Sequence, residues 1–327
     1  MDNTTSENQI RDIGSIQLAE RFQIFTRAST YLYSRAKLVS FSQLVLTVVI
    51  PVILTTLAIV FSDQTTPASK LKVWAAFYGI IITLLDLIFL DRLQKELKKA
   101  AAKVQECFDC ELLLMDWNNF KVGEKPAPEK VAQAEGNLRR ELTTDEKNWY
   151  PAVVGELPIY LSRIVCQRTN IWWDSEVRRK YNRLLTTVAV IIGLTGAIVG
   201  LAKDMSMEVF ILTILAPIFP TAVWTIKEIR KQKETIDTLD RLMKYVVQLW
   251  DDALEQSIDL DSIANKSREL QTELYVHRAS NQPIPNRIHK ILSKGLGSNM
   301  NKGATELVKQ AKLRLAASSS NPQRMPS

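Results

Sequence analysis

Residues 44–61 read LVLTVVIPVILTTLAIVF. They lie in a stretch from residue 38 to residue 62 without one charged side chain. Eighteen helical residues span about 27 Å, close to the hydrocarbon thickness of a bilayer, so this segment predicts a first membrane span. Three further segments repeat the pattern. Val73–Leu90 is interrupted only by Asp86, while Leu184–Ala202 and Val209–Ile226 carry no charge. The 327-residue chain is 46% hydrophobic, and it is the clustering of those residues that decides the class. The expected fold is mainly all-α: a polytopic membrane protein with four transmembrane helices in two hairpins and a cytoplasmic helical module.

Charge sets the expected orientation. The loops 62–72 and 203–208 are short and nearly balanced, whereas Arg35 and Lys37, Arg92–Lys103, Arg178–Arg183 and Lys227–Lys233 crowd the opposite ends of the spans. By the positive-inside rule both termini and the long middle segment face the cytoplasm. The polar residues ahead of the first span argue against a cleaved signal peptide. A net charge of +7 follows in part from these flanks, so it calls for no nucleic-acid partner, although a basic face attracts anionic lipid or an anionic messenger. Cys107, Cys110 and Cys166 all fall on the cytoplasmic side and are expected as thiols. Cys107-x-x-Cys110 lacks two further ligands nearby, and His277 and His289 are distant in sequence, so no metal site and no cofactor are expected.

In domain terms the chain divides into a cytoplasmic N-terminal helix (1–37), hairpin one (38–91), a middle module (92–183), hairpin two (184–226), C-terminal helices (227–313) and a disordered tail (314–327). Thr47, Pro51 and Thr55 recur every four residues in the first span, and Thr213, Pro217 and Thr221 repeat that spacing in the fourth. A proline frees the carbonyl four residues earlier, so the threonines either satisfy a kink locally or line a polar path through the membrane. Asp86, near the inner end of its span, is a candidate gating residue or snorkels to the interface beside Arg92. Ala75, Ala76 and Gly79 in the second span and Gly193, Gly196, Ala197 and Gly200 in the third predict contact between those two helices.

The middle module is expected to hold a charged helix over 91–106, a strand or extended segment at FDCELLLMDWNNF, and an amphipathic helix over 128–142. Beyond the fourth span, Ile229, Ile236, Leu239, Met243, Val246, Trp250 and Ala253 form a near-heptad seam, interrupted by Gln232. It can mate with a partner chain or fold back on the middle module. A second helix is expected over 260–278.

The most distinctive chemistry lies in residues 150–181, YPAVVGELPIYLSRIVCQRTNIWWDSEVRRKY. Arg163, Arg168, Arg178 and Arg179 with Trp172 and Trp173 can hold an anionic planar ligand by bidentate hydrogen bonds and stacking, or form a membrane-surface collar. There is no P-loop, no G-x-S-x-G, no H-E-x-x-H and no G-x-G-x-x-G, and the expected class is a non-enzyme.

The segments LYSRAK, VWAAFYGIIITLLDLIFL, FDCELLLMDWN, NWYPAVVGELPIYLSRIVCQRTNIWWDSEVRRKY, SRELQTELYVHR and NKGATELV run in order from Leu32 to Val308. Together they resemble the SMODS-associated four-transmembrane effector family, most specifically at CQRTNIWWD. The resemblance implies a multi-pass protein of the bacterial inner membrane that acts in anti-phage defence. It further implies a cyclic nucleotide messenger from a neighbouring nucleotidyltransferase as partner, and pore formation leading to abortive cell death. Homo-oligomerisation is expected because four helices leave little room for a channel within one subunit. A non-conducting membrane-anchored sensor or scaffold, or a small transporter, is the alternative.

Overall fold

The computed structural model describes residues 7–51, 53–54, 67–202, 206–211 and 215–319. The long helices are α1 (Glu20–Leu44), α2 (Pro67–Leu85), α3 (Asp91–Leu112), α4 (Pro128–Gly136), α5 (Ile159–Ala202), α6 (Ala216–Leu254), α7 (Leu260–Ser280), α8 (Asn286–Leu292) and α9 (Leu296–Ser319). No strand occurs among the described residues; the one isolated bridge pairs Ile10 with Pro158. The fold is all-α, as the hydrophobic patterning predicts.

Two helices widen as they approach the apolar zone. A π-helical turn over Val45–Val49 follows α1, and a second over Asp86–Leu90 joins α2 to α3. Gln43 Nε2 donates to Asp86 Oδ1 at 2.8 Å, and the Tyr78 hydroxyl donates to the Leu46 carbonyl at 2.9 Å, so polar contacts tie the two helices at this level. Arg92 pairs with Glu96 instead of Asp86.

The apolar ends and the core are built from the same rods. Among the described residues, α5 is the one helix long and apolar enough to cross a membrane, and only 6% of its most apolar window is buried within the molecule. At 44 residues it extends about 66 Å. Its first half, from Ile159 to Tyr181, forms the centre of the main core; beyond Leu184 the side chains of Val190, Ile191, Leu194, Ile198 and Leu201 are exposed. An apolar face of that size is consistent with lipid contact.

Around the inner half of α5 pack Phe108 and Leu112 of α3, Leu239, Val246 and Trp250 of α6, Leu270 and Leu274 of α7, and Ala304, Val308 and Ala311 of α9. The near-heptad seam of α6 therefore folds back onto its own module. Its interrupting Gln232 is buried, hydrogen-bonded to Glu228 and Arg178.

Three expectations are corrected. Residues 108–112 are not a strand: they complete α3, because Ala101, Val104, Phe108 and Leu112 lie at helical spacing on one buried face that begins in the charged segment. Leu114, at φ 51°, ends the run. The amphipathic helix predicted over 128–142 stops at Gly136. Residues 314–319 belong to α9, not to a disordered tail, since Ala311 is buried and Leu315 packs on the core; 320–327 lie outside the described residues.

The small-residue faces behave differently from expectation. A Cβ on Gly79 or Gly193 would meet nothing within 4 Å, so among the described residues neither glycine is packed against the other segment. The helix that α5 packs along is α6.

Candidate functional site

The helical module is held by a polar network in its core. Glu106 and Asp109, on α3, are 0% and 1% exposed, a position that carboxylates occupy only when fully paired. Arg268 donates to Glu106 at 2.5 Å and Arg278 to Asp109 at 2.6 Å, while Gln271 bridges both at 2.9 and 3.0 Å. The Tyr150 hydroxyl donates to Asp109 at 2.7 Å and accepts from Asn170 at 2.7 Å, and Asn170 accepts from the Trp149 indole at 2.8 Å. Every link is a short hydrogen bond in a dry interior, so α3, α5 and α7 are locked in register.

One edge of this network opens into a cavity of about 1980 Å³. Its wall takes Tyr33 and Lys37 from α1, Arg140, Glu146 and Trp149 from the segment after α4, Asn170, Trp173, Asp174 and Arg178 from α5, His277 and Arg278 from α7, and Asn286 and His289 from α8. Several of the charged groups are already matched. Arg140 meets Glu146 as a fork, Arg278 meets Asp109, and Asp174 accepts from Arg178 Nε at 2.9 Å and lies 2.5 Å from His277 Nε2. Thr235 donates to the Asn281 carbonyl oxygen, which turns the Asn281 amide toward His277 Nδ1 at 2.7 Å. This network assigns the imidazole proton to Nε2, facing Asp174. Burial pushes the Asp174 carboxyl up, but Arg178 and His277 outweigh it and hold the group well below the usual carboxylate range.

The cations without a carboxylate partner are also shifted down, which for them favours the neutral form. Burial pushes the Lys37 ammonium down to about 8, with its Nζ held only by the Asn286 side-chain oxygen at 2.8 Å. His289 is pushed down to about 4, by burial first and by Lys37 second. Lys290, Lys294 and Lys302 also line the cavity and form no salt bridge among the described residues. The indole nitrogen of Trp173 is buried with no hydrogen-bond partner, and its ring meets Trp149 edge to face at 5.6 Å. The arrangement offers cations, an aromatic pair and one spare N–H to an anion with a planar group.

The six residues expected to hold such a ligand are not brought to one place. Trp173 and Arg178 reach the cavity. Arg163, 2% exposed, instead binds the carbonyls of Leu113 and Leu114, both at 3.1 Å, and pairs with Glu7, closing the end of α3. Arg179 bonds Ser175 and pairs with Asp240. Trp172 packs against Val177, Tyr181, Ile284 and Leu296. Arg168 is half-buried and outside the cavity wall, and burial lowers its pKa.

In the first span, Thr47 donates to the Gln43 carbonyl at 2.6 Å, a local back-bond, and Pro51 continues the helix. Thr55 and Thr213 lie outside the described residues, as do the side chains of Pro217 and Thr221. The three cysteines are buried free thiols, and burial pushes Cys107 up to about 12. No group of side chains able to hold a metal occurs among the described residues.

Lys37, Trp149, His277 and His289 are the site residues that sequence reasoning missed. Trp149 and His277 both fall inside the distinctive segments, in NWYPAV and LYVHR. Lys37 reads from sequence as one more flanking positive charge, and nothing in the sequence marks its proximity to α8.

The geometry defines a class: an all-α protein in which a continuous helix carries one wall of a polar cavity into an exposed apolar segment. The chain belongs to the family of the SMODS-associating 4TM effector domain, whose profile matches residues 11–307. It is similar to a protein of Bacillus cereus strain VD146 described as a probable CBASS effector molecule, 27% identical over 266 residues, covering 81% of this chain and 85% of the relative. No solved structure matches.

Proposed function

We propose that the chain is a messenger-triggered effector of bacterial anti-phage defence. In this reading four helices in two hairpins seat it in the inner membrane, both termini face the cytoplasm, and a homo-oligomer forms or gates a pore whose opening kills the infected cell. The observation that carries the reading is α5 itself: Trp173, Asp174 and Arg178 on the cavity wall belong to the same unbroken helix as the exposed apolar residues 184–202. A ligand that moves the cavity end of a rigid rod moves its membrane end. The trigger is a cyclic nucleotide from a neighbouring nucleotidyltransferase, its base against Trp149 and Trp173 and its charge against Arg178 and the unpaired lysines. Arg163 and Arg179 act as struts in this scheme. Thr47, Pro51, Thr55, Thr213, Pro217 and Thr221 are the proposed pore lining, with Asp86 at the gate. The open faces of Gly79 and Gly193 are where neighbouring subunits approach.

The test is ion flux from liposomes holding the purified protein, with a panel of cyclic di- and trinucleotides. One of them is expected to trigger flux, and Trp173→Ala to abolish it while leaving membrane insertion intact. Tight binding without flux for every compound would instead make the protein a non-conducting sensor.

A further inference from the structure

Lys37 and His289 face the same part of the cavity from different helices, α1 and α8, and neither forms a salt bridge among the described residues. Asn286 stands beside them, accepting from Lys37 at 2.8 Å and reaching Ser34 at 3.4 Å. A half-buried ammonium that lines a cavity and bonds one neutral amide keeps donors for a further acceptor, since it carries three. We propose that Lys37 and His289, with Asn286, form a phosphate subsite of this cavity, and that a phosphate group enters it together with a proton.

The chemistry follows from what surrounds the pair. Arg178 and Asp174 face it from α5, His277 and Arg278 line the cavity from α7, Arg140 and Glu146 from the segment after α4, and Lys290 from α8. Of the carboxylates on the wall, Asp174 is committed to Arg178 and His277 and Glu146 to Arg140, while Glu141, Asp145 and Glu306 line other parts of the cavity without a salt bridge to Lys37 or His289 among the described residues. Lys37 and His289 repel each other and are both desolvated, so at neutral pH the imidazole is neutral. A phosphate oxygen between them reverses that balance, because a nearby anion favours the charged form of both groups. His289 then takes up a proton and becomes a second charge-assisted donor beside Lys37. Phosphate binding is therefore tightest on the acid side of neutrality. The inference rests on the ligand cavity proposed above but concerns the phosphate alone, whether it belongs to a soluble nucleotide or to a lipid headgroup.

Inorganic sulfate, which like a phosphodiester carries no proton that titrates near neutrality, is the probe, titrated calorimetrically into the full chain in lipid-free neutral detergent, in buffers of differing ionisation enthalpy. At about pH 6.5, the ordinary histidine value, the parent is expected to bind with net proton uptake. Lys37→Gln should weaken binding by about tenfold or more, Lys37→Arg should retain it, and His289→Gln should remove most of the proton uptake. Size-exclusion profiles and melting curves check that the variants are folded. Sulfate that fails to bind the parent, or binds Lys37→Gln as tightly, overturns the subsite; so does binding without proton uptake. Competition by phosphatidylglycerol nanodiscs, absent with phosphatidylcholine, would assign the occupant to lipid, and its absence to a soluble ligand. Binding that meets these expectations in a protein no cyclic nucleotide can trigger keeps the subsite and removes only the messenger reading.

Discussion

At the scale of single residues, the helical module uses charge in two ways. Glu106 and Asp109 are buried and matched by the half-buried Arg268 and Arg278, so these pairs specify how α3 and α7 meet. Removing one partner leaves the other charge stranded in a dry interior: Arg278→Met should cost about 3–5 kcal/mol, read as a lower melting temperature. Lys37 and His289 are half-buried and have no carboxylate partner among the described residues, which is why they, and not the network, are available to a ligand. His289 carries a pH signature. Its folded-state pKa of about 4 lies below the ordinary histidine value, so as pH falls from about 6.5 toward 4 the unfolded chain binds a proton that the folded chain resists. Stability present above that window is lost within it. His289→Gln should melt less steeply with falling pH over this range than the parent; parallel curves would mean that the imidazole is already charged.

At the scale of elements, α5 joins the cavity to the apolar zone without a break, and its stiffness is what transmission requires. Thr186, whose hydroxyl back-bonds to the Asn182 carbonyl, sits on an exposed face just past the core. Thr186→Pro removes one intrahelical hydrogen bond and kinks the rod where no core contact depends on it. The helical module should keep its ligand affinity, measured by calorimetry, while triggered flux falls to background; flux at the parent level would mean that the signal travels by another helix. The same rod shows what a sequence can and cannot reveal. The apolar segments, the 184–202 half of this rod among them, are legible because charge-free runs are local properties, whereas nothing in the sequence carries the helix back to Ile159. FDCELLLMDWNNF misleads because its apolar run, taken alone, is too short for a helix, whereas its Phe108 and Leu112 continue a face begun at Ala101. The arginines of 163–179 advertise a ligand site, yet burial turned Arg163 into a brace for two carbonyls and gave Arg179 to Asp240. The cavity joins residues as far apart as Lys37 and His289, and a single sequence carries no measure of that distance.

At the scale of the whole molecule, the decisive unknown is which face of the membrane the helical module occupies, and the buried cysteines make that question tractable. Cys107, Cys110 and Cys166 are all buried, and burial raises each thiol pKa, so little thiolate is exposed to react at neutral pH. The natural protein should therefore be nearly silent to a membrane-impermeant maleimide, even after permeabilisation, which gives a clean background without replacing any residue. Ser257 lies in the exposed turn between α6 and α7, and Ser206 lies beyond the apolar end of α5. With basic flanks holding the module in the cytoplasm, a thiol at Ser206→Cys should label in intact spheroplasts, and one at Ser257→Cys only once they are permeabilised. Labelling of both from outside would place the module on the far side of the membrane, away from any messenger made in the cell. Labelling of neither before permeabilisation would mean that the exposed apolar segment of α5 does not cross the bilayer, and its uncovered face would then have to be buried against other copies of the chain instead of against lipid.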